Sequence, residues 1–285
     1  MPRRYKYLAR ALRSKYWMPG CEWVDEVLKC LKRAGVREGD IVVVSEKAIS
    51  VAEGNVVDES AIEPGFMAKL LARFWMRVMW GYLLGVACRL RRETLEFLRS
   101  YPLDYGARHK QVALSYAGPL HALCFGSEGG IDGSNLPYAY VCLPLRDPQE
   151  RARELRRAIE RALGIKVAVV ISDSDRCYVW KSVCICPRPT SVKGIVSGLG
   201  IIAYLIGNLL GLRSAATPIA VSGGSFNLEE LLSVTNVAER RRGHGAGRSV
   251  WEMARRFGTS LTGVTWEMLS SIPHYPVVLV RRRGK

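Results

Sequence analysis

The sequence predicts an α+β protein, with mixed sheets and packed helices, on three observations. Ile41-Val42-Val43-Val44 and Lys166 to Ser172 are β-branched runs of the kind that fill strands buried on both faces. Val24, Val27, Leu28 and Leu31 recur at helical spacing, as do the apolar positions between Gln149 and Leu163. Polar residues then gather where the two strands end, at Ser45-Glu46-Lys47 and Asp173-Ser174-Asp175, the place where α/β proteins commonly hold ligands.

In chain order, Met1 to Lys15 is basic without an apolar run, which argues against a secretory leader and for the cytoplasm. Tyr16-Trp17-Met18-Pro19-Gly20 marks a turn before the first helix, which Gly35 can cap. Pro64 to about Arg99 is helical and strongly apolar, the pattern of a core helix pair. Tyr101 to Lys110 reads as a polar connection, and Val112 to Phe125 alternates loosely, as two strands would. Tyr138 to Leu145 is a further strand, and Asp147-Pro148 starts a helix that Gly164 ends. Ile195 to Leu212 is uncharged, but its four glycines and Asn208 favour buried core over a membrane span. Thr217 to Val221 is a strand.

The final section differs in composition, so the expected division is a domain of residues 1–224 and a helical, Arg/Gly-rich extension of residues 225–285. Leu228 to Arg240 is helical, and Ser249 with Glu252 forms a capping box. Between them Arg240 to Arg248 places glycines among arginines, a pattern open to an anion contact or a simple basic turn. Val277 to Val280 closes the chain as a strand, followed by Arg281 to Arg283.

Forty-two Lys and Arg against 26 Asp and Glu give a formal charge of +16, which predicts polyanionic partners without choosing among them. Abundant arginine with only two glutamines leans towards a thermophilic source. Eight scattered cysteines without a Cys-x-x-Cys pair argue against a structural zinc site. His109, His121, His244 and His274 suggest no catalytic triad, and His244, beside glycine and arginine, is the one most open to a functional role.

The chemistry centres on Ser127-Glu128-Gly129-Gly130-Ile131-Asp132-Gly133-Ser134-Asn135-Leu136-Pro137. This irregular loop sets a carboxylate and an amide three residues apart beside backbone donors, a combination suited to a metal ion and a phosphate together. Asp132 and Asp173 are the natural metal anchors, and Lys47 is the best phosphate cation on the strand side. Glu128 and Asp175 could assist or be plain loop acids.

Three segments in order, Gly39 to Gly54, Gly130 to Asn135 and Val170 to Ser174, resemble the coenzyme F420 gamma-glutamyl ligase family. The resemblance spans roughly residues 14–220 and is patchy between the motifs. It implies an α+β homodimer that uses GTP (or ATP) and a divalent metal, Mn or Mg, to join glutamate to a deazaflavin-bearing carboxylate. Carried over by position, Asp132 and the pair Asp173 and Ser174 bind metal, Asp132 and Asp173 are catalytic, and Asn135, Ser134, Glu46 and Lys47 contact the nucleotide. Ser14 to Trp17 fall near the family's N-terminal nucleotide segment.

The departures are specific. Val51 stands where the family has lysine, and Asp175-Arg176-Cys177-Tyr178 keeps the arginine of a Gly-Arg element without its glycine. Pro187 to Leu212 does not carry the later pattern, and the section after 225 has no counterpart. The expected activity is therefore a metal-dependent, nucleotide-consuming amide ligase acting on a small anionic acid, F420-0 or another. The alternative is a nucleic-acid-binding or nucleotide-sensing protein that keeps the fold without catalysis; no RNA- or DNA-reading motif supports it. No membrane partner is expected.

Overall fold

A computed structural model describes residues 7–126 and 128–282. Ser127, Arg283 and the first six residues, all part of the sequence readings above, lie outside the described residues. The strands are β1 (Tyr7–Ser14), β2 (Ile41–Ser45), β3 (Val56–Asp58), β4 (Tyr140–Cys142), β5 (Ala168–Trp180), β6 (Val183–Ile185), β7 (Ile195–Val196), β8 (Arg213–Ser222) and β9 (His274–Arg282). The main sheet runs β1-β9-β2-β5-β6-β7, with β8 also paired to β5, and β3 and β4 form a separate ribbon.

Strand alternation sorts the core into two layers. Val42, Val44, Val169, Ile171, Val277 and Leu279 face one side, under the helices Trp23–Ala34 and Pro148–Leu163. Ile41, Val43, Val170, Val278 and Val280 face the other, where Leu231, Val234 and Ala238 of the Leu228–Arg242 helix cover them. Each of these strands is covered on both sides, which is why its sequence is a continuous apolar run. The fold class read from the sequence is the one observed: a mixed sheet with packed helices.

The section after residue 225 is not an appended helical unit. β9 lies inside the sheet, antiparallel to both β1 and β2. Arg281 fixes it further, with its Nη2 2.6 Å from a carboxylate oxygen of buried Asp40, just before β2. The division at 224 followed a change in composition, whereas strand pairing at this sequence separation leaves no local mark.

Two other elements differ from expectation. Tyr101 to Phe125 forms no strands: Leu103–Tyr116 is a helix, with Pro119–Ala122 after it. The loose alternation misleads because Ala107, Lys110 and Ala113, at three-residue steps, form its buried face. Tyr7–Ser14, read only as part of a basic segment, is a strand on which exposed and inward residues alternate. Ile195 to Leu212 becomes β7 and a nine-residue helix, Ile201–Leu209, of which only one side is buried. Among the described residues no helix is long and apolar enough to cross a membrane.

Candidate functional site

Parallel pairing of β2 and β5 sets Ser45 opposite Ser172, so both strands deliver their next residues to the same edge of the sheet. Beyond Ser45, whose hydroxyl accepts the Ala48 N–H at 3.4 Å, a helix begins and carries Lys47 in its first turn. Beyond Ser172, the ladder with β8 slips between Asp173 and Arg176. This bulge pushes Ser174 and Asp175 out of regular pairing, a common way to re-aim side chains at a sheet edge.

The glycine-rich loop meets that edge. Asp132 is held by two backbone bonds to Cys142, Asp132 N–H to Cys142 O at 3.1 Å and the reverse at 3.0 Å. Its Oδ2 lies 2.8 Å from Lys47 Nζ. Its carboxylate also accepts the Ser134 N–H at 2.7 Å and the Ser134 hydroxyl at 2.9 Å. Lys47 in turn donates to the Ser134 carbonyl and hydroxyl. Partial burial would raise the Asp132 pKa, but Lys47 and the Ser134 donors more than reverse this and hold it below the ordinary aspartate range.

Asp173 is held differently. Its Oδ2 accepts from the Arg188 guanidinium, which also reaches Glu46 Oε1 at 3.0 Å. Arg188 is 2% exposed, so the three groups form a buried Glu46–Arg188–Asp173 chain. The Glu46 side chain, expected at the nucleotide, is thus engaged by Arg188. Its Oε1 also accepts the Leu145 N–H at 2.6 Å, and the largely buried side chain borders the second of the two cavities described below. Burial, with Asp173 nearby, pushes its carboxyl upward against the pull of Arg188. Gly130 makes room for this arrangement: a Cβ there would lie 2.5 Å from Arg188 Nη2.

Asn135 is likewise engaged within the protein. Its Nδ2 donates to His244 O at 3.3 Å and Gly247 O at 3.0 Å, while its Oδ1 accepts the Ala246 N–H at 2.6 Å. The amide clamps the Arg/Gly segment, and Asn135 lines the first of the two cavities described below. The fit requires Gly245, whose Cβ would lie 2.5 Å from Asn135 Oδ1.

Two cavities open on either side of Lys47, Asp132, Ser134, Asp173, Ser174 and Asp175, which line both. The first, of about 510 Å3, is cationic and glycine-rich, with Arg176, Arg242, His244 and Gly245, and with Tyr16 and Trp17. Burial, aided by Arg248, pushes the His244 pKa down, which favours the neutral ring. The second, of about 370 Å3, is walled by Phe97, Tyr101, Tyr105, Tyr138 and Trp251. At its acidic end His109 lies between Glu59 at 2.6 Å and Glu128 at 3.1 Å, and buried Lys110 reaches Glu128 at 2.6 Å. Burial opposes charge on His109, but the two carboxylates override it and raise its pKa well above the usual value. Both ring nitrogens are thus engaged. Val51, where the resemblance leads one to expect lysine, packs with Leu136 and Cys142 and leaves no cation at that point.

Among the described residues, no three His, Cys, Asp or Glu side chains converge as a ready-made metal cage. Asp132, Asp173 and the neighbouring serine hydroxyls are hard oxygen donors, a set that suits Mg or Mn with phosphate and water completing the shell.

Arg188 carried no recognisable pattern in the sequence; its nearest clue is a lone arginine between Pro187 and Pro189. Trp251 was likewise invisible as a wall residue, because only the folded C-terminal section brings it there.

A family model described as F420-0:Gamma-glutamyl ligase matches residues 11–222. The chain belongs to this family. A coenzyme F420:L-glutamate ligase of Methanopyrus kandleri is 31% identical over 142 residues, about half of each chain (50% and 50%). An uncharacterized protein of Methanocaldococcus jannaschii is 31% identical over 284 residues, 96% of each chain. The same organism has a coenzyme F420:L-glutamate ligase that is 28% identical over 139 residues, 49% of each chain. The family match ends before the Arg/Gly segment and β9, so the section after 222 is shared with the full-length relative and supplies walls to both cavities.

Proposed function

We propose that this protein is a nucleotide- and metal-dependent ligase that joins an amino acid, L-glutamate first among candidates, to a small carboxylic acid through an amide bond. The observation that supports this most is the single wall shared by two unlike cavities in a member of a ligase family. The cationic, glycine-rich cavity suits the phosphates of GTP or ATP, and the aromatic one suits the acceptor acid. The wall between them is where the two would react.

A carboxylate is a poor electrophile because its oxygen does not leave. Attack of that oxygen on the γ-phosphorus forms an acyl phosphate and releases nucleoside diphosphate; the amine then displaces phosphate, losing a proton. The demands on the protein are positioning and neutralisation of charge. Lys47 would meet the transferred phosphate from the strand side, and Arg176, Arg242 and Arg248 would offset charge across the cavity. Asp132 and Asp173 would hold a divalent cation, which supplies further neutralisation of phosphate charge when bound. Ser134 keeps Asp132 oriented, and Arg188 does so for Asp173.

Methanocaldococcus jannaschii holds both the full-length relative and an F420:L-glutamate ligase. That pairing, with Val51 in place of the family's lysine, favours an acceptor other than F420-0. The test is release of inorganic phosphate from GTP or ATP with Mn or Mg, glutamate and a panel of acids that includes F420-0. Release that depends on one acid, with an amide product of the summed mass, supports the proposal. Nucleotide binding without turnover in any combination would favour a sensor instead. Steeply salt-dependent binding of mixed RNA, with no nucleotide binding, would favour the nucleic-acid reading.

A further inference from the structure

Among the described residues, two cationic side chains, Lys47 and Arg248, line both cavities. Lys47 is occupied, with its Nζ 2.8 Å from Asp132 and donating to Ser134. Arg176 and Arg242 line the first cavity alone, and Arg242 is held by Glu239 and the Ser172 hydroxyl. The Arg248 side chain is exposed and has no ion-pair partner among the described residues. The backbone that carries it is fixed on both sides. Before it, the Asn135 amide holds residues 244–247, and Arg256 Nη1 donates to Gly245 O at 2.7 Å. After it, the Arg248 N–H donates to Glu252 Oε2 at 2.9 Å and the Glu252 N–H to Ser249 Oγ at 3.2 Å, which starts the Val250–Phe257 helix. Packing there leaves no slack, since a Cβ on Gly247 would lie 2.8 Å from Glu252 Cβ. A guanidinium on a fixed stem, uncommitted within the protein, is placed for a ligand that lies across the wall.

We propose that Arg248 is a catalytic residue of the ligation, whose guanidinium pairs with the acid's carboxylate and the γ-phosphoryl group together. The assignment rests on the ligase reading above and deepens it. Arg248 lies beyond residue 222, where the family match ends. In the first step a carboxylate oxygen bonds to the γ-phosphorus, the bond from that phosphorus to the β,γ-bridging oxygen breaks, and nucleoside diphosphate leaves with the electron pair. No proton moves. The difficulty is that both reactants are anions, one from each cavity, and they repel as they close. A planar guanidinium has five N–H donors and can serve two oxyanions side by side, whereas an ammonium is a single point of charge. Its charge also persists at every pH in which the protein is folded, so it takes part without a titration of its own. Arg176 and Arg242, which line only the nucleotide side, can bind phosphates but do not border the cavity that would hold the acid.

The test compares full-length wild type with Arg248→Gln, Arg248→Lys and Arg248→Ala, using GTP, Mn, glutamate and whichever acid of the panel, F420-0 included, supports phosphate release. The side chain is exposed, so each variant should keep the wild-type circular dichroism. Arg248→Gln should lower kcat at least about 100-fold, as removal of an arginine from a transferring phosphoryl group does. Binding of GTP with Mn, followed by calorimetry, should weaken less than about tenfold, because Arg176 and Arg242 remain. Arg248→Lys should recover only a small part of kcat. Guanidinium chloride at millimolar strength should restore part of the activity of Arg248→Ala, and ammonium chloride should not. With hydroxylamine in place of glutamate, trapping of the acyl phosphate as hydroxamate should fall as far as amide formation does. Acid-dependent release that Arg248→Gln leaves intact overturns this assignment alone, as does a loss of kcat matched by an equal loss of GTP binding. So does undiminished hydroxamate formation, which would move Arg248 to the second step. No acid-dependent release by wild type would defeat the ligase reading itself, and this assignment with it.

Discussion

The two carboxylates of the wall are alike in chemistry and unlike in support. Asp132 sits on a loop with 44% of its side chain exposed and is paired to Lys47, which is itself partly accessible. Asp173 sits at a strand bulge and is paired to Arg188, which is buried and shared with Glu46. A partly hydrated pair exchanges its partners at little cost, while a buried one cannot lose a member without stranding a charge. One half of the site can therefore yield to an arriving ligand, and the other gives it a fixed reference.

The sharpest way to break this contrast is Arg188→Met. It leaves Glu46 and Asp173 without their cation and should cost about 3–5 kcal/mol of stability in urea unfolding. A loss below about 1 kcal/mol would put the two halves on equal terms. Gly130→Ala attacks the same chain indirectly. Its φ of 97° and the 2.5 Å approach of Arg188 should together cost about 1–3 kcal/mol. Asn135→Ala should cost about 1–2 kcal/mol and expose the segment around Gly245 to limited proteolysis, because three hydrogen bonds to that segment go with it.

The smallest effect belongs to Lys47→Met, which should change stability by less than about 1 kcal/mol, since the pair is screened by water. Its signature is in titration. With a folded pKa below the ordinary aspartate value of about 3.9, Asp132 contributes stability above that pH and loses it as pH falls through the folded pKa. Lys47→Met should move the Asp132 titration upward in carbon-detected NMR; an unmoved midpoint would remove Lys47 as its cause.

The strands and their polar exits were legible because local pattern determines them. Ile41 to Val44 and Lys166 to Ser172 had the pattern of doubly covered strands, and the residues after them had to emerge together once the strands paired in parallel. Asp132, Ser134, Lys47, Asp173 and Ser174 were named from loop chemistry and resemblance, and they share one wall. What stayed hidden depends on distant contacts. Arg188 is one arginine among many until Glu46 and Asp173 are seen around it. Asn135 and Glu46 have suitable chemistry for a ligand, and only the fold shows that they also hold the Arg/Gly segment and Arg188. β9 pairs with strands more than 200 residues away in sequence, beyond the reach of any local periodicity.

The most direct measurement is calorimetric titration of GTP with Mn into wild type, Asp132→Asn and Asp173→Asn, with circular dichroism to confirm that each is folded. The account predicts saturable binding by wild type and at least about tenfold weaker binding by each variant, since each removes a carboxylate proposed to anchor the metal–phosphate complex. Undiminished binding by both folded variants would contradict it, because the nucleotide would then lie away from the wall that Asp132 and Asp173 share.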